Sequence, residues 1–150
     1  MLYLGDFELA QPLGKGGMAQ VWRGRHRDVD VGVAVKIVAP SRGRNLARHL
    51  ANEARTMAQL DHPGIVMVFD QGTVSPAEAA ASDGLLSEGS PYIVMELAER
   101  GTALERCGKL RWPQIRNMLL RLLDALAHAH ARGVLHRDVK PSNVLVFDDD

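Results

Sequence analysis

The sequence predicts an α+β chain, a strand-rich first part followed by a helical segment, with the boundary near Leu97 to Gly101. Three observations predict it. Short segments rich in β-branched and aromatic residues recur up to Met95, most of them separated by glycine or proline. Two stretches carry apolar residues at helical spacing. The composition, 46% apolar and 24% charged over 150 residues, is that of one ordinary globular domain.

The strands expected are Phe7 to Leu13, Val21 to His26, Val31 to Val38, Ile65 to Asp70 and Tyr92 to Met95. A first helix is expected where Leu46, Leu50, Glu53, Met57 and Leu60 fall on one face. A second is expected from about Pro113 to Ala131, with Ile115, Leu119, Leu122 and Leu126 on one stripe, Pro113 in the first turn and Gly133 as the stop. Between them, residues 72–91 are small and polar and read as a mobile insertion joining two strands, either a surface insertion or a lid.

Charge excludes one class of function. Lys plus Arg and Asp plus Glu each total 18, so the net charge is zero and a general nucleic-acid binder is not expected. A local phosphate site stays open. Cys107 is the single cysteine, which rules out an intrachain disulfide. The first residues show neither a basic nor a long apolar run, and no stretch has the length of a membrane helix, so the expected location is the cytoplasm.

Gly14-Lys15-Gly16-Gly17-Met18-Ala19 lies between two expected strands. Glycines let a backbone approach a phosphate closely, but a plain hairpin turn explains the segment equally well in isolation. A dinucleotide fingerprint would need a helix next, and Gln20-Val21-Trp22-Arg23 has no helical stripe. Farther on, Val33-Ala34-Val35-Lys36-Ile37-Val38 is an apolar strand with one charge, and strand alternation puts Ala34 and Lys36 on the same face. Glu53 interrupts the apolar stripe of the first helix. A buried carboxylate needs a partner, and Lys36 is the economical one. The bland alternatives are a lysine guarding a strand edge and a helix turned so that Glu53 reaches the rim.

The most specific motif comes last. His136-Arg137-Asp138-Val139-Lys140-Pro141-Ser142-Asn143 fits H-R-D-x-K-x-x-N between apolar segments. With the glycine-rich turn, Val33 to Lys36, Glu53, Asp61-His62-Pro63 and Tyr92 to Glu96 preceding it in order, the chain resembles the protein kinase family, and its bacterial Ser/Thr members in particular. The likeness runs from about Phe7 to Val146.

The resemblance implies an N-lobe over residues 1–96 (antiparallel sheet plus one helix), a hinge at 97–101, and the start of a helical C-lobe over 102–150. It implies ATP and Mg2+ as cofactors and proteins with Ser or Thr acceptors as substrates. Gly14, Lys15, Gly16, Gly17, Met18, Ala19 and Gln20 would form the phosphate loop. Leu13, Val21, Ala34 and Leu145 would sandwich the adenine, Met95 would back the pocket, and Glu96 and Ala98 would offer backbone groups. Lys36, held by Glu53, would contact phosphates; Asp138 would orient the acceptor hydroxyl; Lys140 would steady the transferred group; Asn143 would hold magnesium. Lys140, two residues after Asp138, favours Ser/Thr over Tyr acceptors. Ala19 departs from the pattern, standing where the family has a third glycine. No D-F-G triplet occurs, and the family places one roughly a dozen residues after the asparagine, beyond Asp150. Two expectations therefore stand: an enzyme whose domain continues past these residues, and a non-catalytic fragment that binds at most nucleotide or a partner.

Overall fold

In the computed structural model, residues 2–15, 19–39, 56–57 and 59–147 are described. They form two compact units, residues 1–59 with 67–97, and residues 60–66 with 98–150. The sequence assigned all of 1–96 to the first unit, whereas Leu60–Val66 groups with the second.

The first unit is a six-stranded antiparallel sheet of β1 (Leu2–Leu4), β2 (Phe7–Lys15), β3 (Ala19–His26), β4 (Gly32–Val38), β5 (Val68–Thr73) and β6 (Pro91–Glu96), in the order β1-β2-β3-β4-β6-β5. No helix follows the glycine-rich turn; β3 returns directly along β2. Alternation sorts the side chains. Trp22, Val33, Val35, Ile37, Tyr92 and Val94 point to one face and form a core with Leu4, Phe7 and Leu9. Val35 and Val94 are wholly buried, each worth about 1.5–3 kcal/mol relative to exposure. The other face holds a smaller cluster, Val38 and Ile93 with Ala19, Val68 and Met95 against it.

The strand expected at Ile65 to Asp70 lies three residues later, because Leu60–Val66 is committed to the second unit. Of the expected first helix Thr56 and Met57 are described and helical, and Gln59 and Leu60 are described but lie outside any helix; the rest, with Glu53, lies outside the described residues.

The 72–91 insertion has a fold of its own instead of being a bare connection. Val74 and Leu86 join the sheet core. Ser75 caps the short helix Pro76–Ala80, its hydroxyl accepting from the Glu78 N–H while the Glu78 carboxylate accepts from the Ser75 N–H at 2.7 Å. The other Glu78 oxygen accepts from the Gly5 N–H at 2.8 Å, tying the insertion to the β1–β2 turn. Burial pushes the Glu78 carboxyl up, but the hydrogen bonds from Ser75 and Gly5 outweigh it and hold the group below its ordinary value. Ser82, itself buried, accepts from the Leu86 N–H at 3.0 Å and donates to the Ala79 carbonyl at 2.7 Å.

The second unit is built on the helix Trp112–Ala131, begun by Pro113 and closed by Gly133 at φ +75°. Its buried residues are Ala125 and Ala129, not the leucines of the expected stripe; Leu119 is 42% exposed. Small residues are buried because Leu60–Val66 approaches the helix closely there: a Cβ on Gly64 would stand 3.1 Å from that of Ala125. Cys107 and Trp112 are both exposed.

Candidate active site

The H-R-D-x-K-x-x-N segment follows the long helix. Asp138 accepts from Lys140 Nζ at 2.7 Å, and Asn143 Nδ2 donates to the same carboxylate oxygen at 3.0 Å and to the Asp138 carbonyl at 2.9 Å. The three residues of the motif therefore form one hydrogen-bonded set, and local backbone geometry makes it so. Arg137 adopts φ +62°, an uncommon state for a residue with a Cβ, costing about 1–2 kcal/mol. That turn returns the Asp138 N–H to His136 Nδ1 at 3.3 Å. His136 thus braces the loop, although it is exposed rather than part of a core. The 3-10 turn Pro141–Asn143 then brings the amide of Asn143 back over Asp138.

The electrostatics favour an ionised Asp138. The hydrogen bond from Lys140, with that of Asn143, holds its carboxyl below the ordinary value against the cost of desolvation. A carboxylate so held is a weak base, better suited to orienting an acceptor hydroxyl than to deprotonating it early. The donor set also fits a hard cation at Asn143. Both groups that its amide nitrogen meets are acceptors, so Nδ2 faces Asp138 and Oδ1 is turned away as an oxygen ligand of the kind magnesium takes.

The segment after the loop is fastened by the backbone. Ala103 N–H donates to Val144 O at 2.8 Å, Val146 N–H to Gly101 O at 2.9 Å and Arg100 N–H to Val146 O at 3.2 Å, around a bridge between Thr102 and Leu145. Thr102 and Glu105 close this turn, the carboxylate accepting from the Thr102 N–H at 3.1 Å and its hydroxyl at 2.9 Å. Gly101 sits at φ +73°, where a Cβ would collide with that carboxylate.

In the first unit, cross-strand register collects the expected nucleotide residues on one face. Val21 pairs with Lys36 and Lys36 with Ile93; Arg23 pairs with Ala34 and Ala34 with Met95. Partners directly opposite share a face, so Val21, Ala34, Lys36 and Met95 lie together, away from the main core. Leu13 falls at a β2 irregularity between Pro12 and Gly14 and is half exposed. Gly14 pairs with Val21 and Lys15 with Gln20, with open space above Gly14. Gln20 accepts from Trp22 Nε1 at 3.3 Å. The Glu96 N–H donates to Met67 O at 2.9 Å, while its carboxylate accepts from the Met67 N–H at 3.4 Å. Ala98 and Leu145 belong to the second unit. Gly16, Gly17, Met18 and Glu53 lie outside the described residues.

Comparison with known proteins decides the assignment: residues 7–150 match the protein kinase domain family. The chain belongs to that family. It is 34% identical over 147 residues to a probable serine/threonine-protein kinase of Streptomyces coelicolor, covering 95% of this chain and 20% of that protein. It is 34% identical over 150 residues to the probable serine/threonine-protein kinase PknB of Bifidobacterium longum, covering 96% and 21%. It is 32% identical over 150 residues to CBL-interacting protein kinase 12 of Oryza sativa, covering 97% and 25%. The chain thus spans about a fifth of the length of these bacterial relatives. The six-stranded antiparallel sheet is the kinase N-lobe that the sequence led us to expect. No helix among the described residues is long and apolar enough to cross a membrane.

Sequence reasoning missed the Gly101-Thr102-Glu105 turn that secures the strand after Asn143. Its signal was present, a glycine followed by the T-x-x-E spacing of a capping box.

Proposed function

We propose that this kinase chain serves the ATP-dependent phosphorylation of Ser and Thr residues in protein substrates. The observation that carries the reading is the hydrogen-bonded set Asp138, Lys140 and Asn143. Asp138 orients the acceptor hydroxyl and receives its proton late. Lys140 offsets charge on the group in transfer, and Asn143 Oδ1 would hold magnesium, which supplies charge neutralisation when bound. On the sheet, Ala34 would leave room for a flat base, and Lys36, which shares its face, would meet phosphates. We propose further that Glu53 pairs with Lys36, and that protein acceptors are Ser/Thr rather than Tyr because Lys140 follows Asp138 by two. By themselves residues 1–150 are expected to be catalytically silent and at most to bind nucleotide, since they contain no D-F-G aspartate to share the metal.

The experiment compares residues 1–150 with the longest product of the reading frame that contains them, assaying transfer from ATP to Ser/Thr and Tyr peptides with and without magnesium. Magnesium-dependent labelling of Ser/Thr by the longer product alone is expected. Robust turnover by residues 1–150, or labelling confined to Tyr, would contradict the reading.

A further inference from the structure

Leu60–Val66 is held against the long helix by an arrangement of titratable groups that phosphotransfer does not use. His62 Nε2 lies 3.2 Å from Asp124 Oδ2, and His62 Nδ1 receives the Gly64 N–H at 3.0 Å. The His62 ring packs on that of His128, centroids 4.9 Å apart. His128 Nδ1 in turn lies 3.3 Å from Arg132 Nη1, and the same guanidinium nitrogen donates to the His128 carbonyl at 3.2 Å. His128 Nε2 is buried and meets no partner among the described residues.

These contacts fix both tautomers. A backbone N–H can only donate, so His62 Nδ1 must be bare, and the ring proton sits on Nε2, donated to Asp124. Arginine likewise only donates, so His128 Nδ1 must be bare and its proton sits on the buried Nε2. Each ring is therefore neutral, and each would lose a hydrogen bond on taking a second proton. His62 would lose the Gly64 amide. His128 would turn an N–H toward a guanidinium.

We propose that His62, His128, Asp124 and Arg132 form a proton-sensitive latch, which pins residues 60–66 to the long helix while both rings are neutral and loosens as His128 is protonated. The titratable and charged groups around His128 are Arg132, Asp124 and, from the facing segment, Asp61 and His62. The two carboxylates draw a proton toward His128. Burial, then Arg132, then His62 oppose it at His128 and hold that ring below the ordinary His value. The sign follows: a His with a depressed value adds stability above its ordinary value near 6.5, and this is lost as the pH falls through the folded-state value. A proton on His128 Nδ1 would face the Arg132 guanidinium 3.3 Å away, so acid splits the stack.

The test is made on residues 1–150. Long-range proton–nitrogen spectra at about pH 7.5 should show both rings as neutral Nε2–H tautomers. Between about pH 7.5 and pH 5, Gly64 amide protection, corrected for intrinsic exchange, should fall about tenfold relative to Val35 and Val94. His128→Phe keeps a flat ring, cannot titrate and replaces an unpartnered buried N–H, so it should fold and lose most of this pH dependence. Arg132→Gln should move the loosening to higher pH. An Nδ1–H tautomer at either ring, equal loosening in His128→Phe, or sheet amides opening in step with Gly64 would each overturn the proposal.

Discussion

The two units bury their apolar residues to very different degrees. In the sheet, Leu4, Val35 and Val94 have no exposed surface, and even the insertion contributes Val74 and Leu86 to the same core. In the second unit the buried residues are alanines, Ala103, Ala125 and Ala129, while Leu123, Leu135 and Trp112 are 60%, 58% and 68% exposed. The difference separates two ways of holding a candidate functional residue. Lys36 is positioned by a ladder that a hydrophobic core keeps rigid. Asp138 is positioned by short-range hydrogen bonds within eight residues of chain, from His136 to Asn143.

Stability measurements sharpen this contrast most. Leu4→Ala should destabilise residues 1–150 by about 2–5 kcal/mol, as expected of a core leucine. Leu123→Ala on the exposed helix surface should change stability by no more than about 0.5 kcal/mol. Denaturant midpoints with unchanged slopes would report both. If Leu123→Ala were as damaging as Leu4→Ala, the second unit would have a core that the described contacts do not contain.

A smaller effect probes the loop. Removing the ammonium in Lys140→Gln should raise the Asp138 titration toward its ordinary value near 3.9, followed by carboxyl NMR. The sign is that of a depressed carboxylate: the Lys140 contact favours the folded loop above that pH and is lost as acid protonates Asp138. An unmoved titration in the variant would mean the 2.7 Å contact does not set the charge of Asp138.

How much was legible in the sequence follows the same division. β4 was readable because a single charge interrupts an apolar run, and the loop because its residue types sit at fixed offsets. β1 was not, since three residues with Leu2 and Leu4 flanking Tyr3 make too short a pattern. The insertion was read as a mobile connection because Val74 and Leu86 stand apart among small residues, and the Ser75-x-x-Glu78 cap was passed over. In the long helix the leucines drew the stripe, but backbone approach at Gly64 selects Ala125. No periodicity reveals that, because it depends on a partner segment distant in sequence. The His62–Asp124 contact was hidden for the same reason.

The division of labour between sheet and loop is the central claim, and one paired measurement on the longest product of the reading frame tests it most directly: nucleotide affinity and turnover for Asp138→Asn beside Lys36→Met. The account predicts that Asp138→Asn lowers turnover by about 10²–10⁴-fold, the range of acid–base and orienting groups, with ATP affinity nearly unchanged. Lys36→Met should abolish turnover and weaken nucleotide binding as well. Equal loss of affinity and turnover in Asp138→Asn, or full turnover in Lys36→Met, would contradict it.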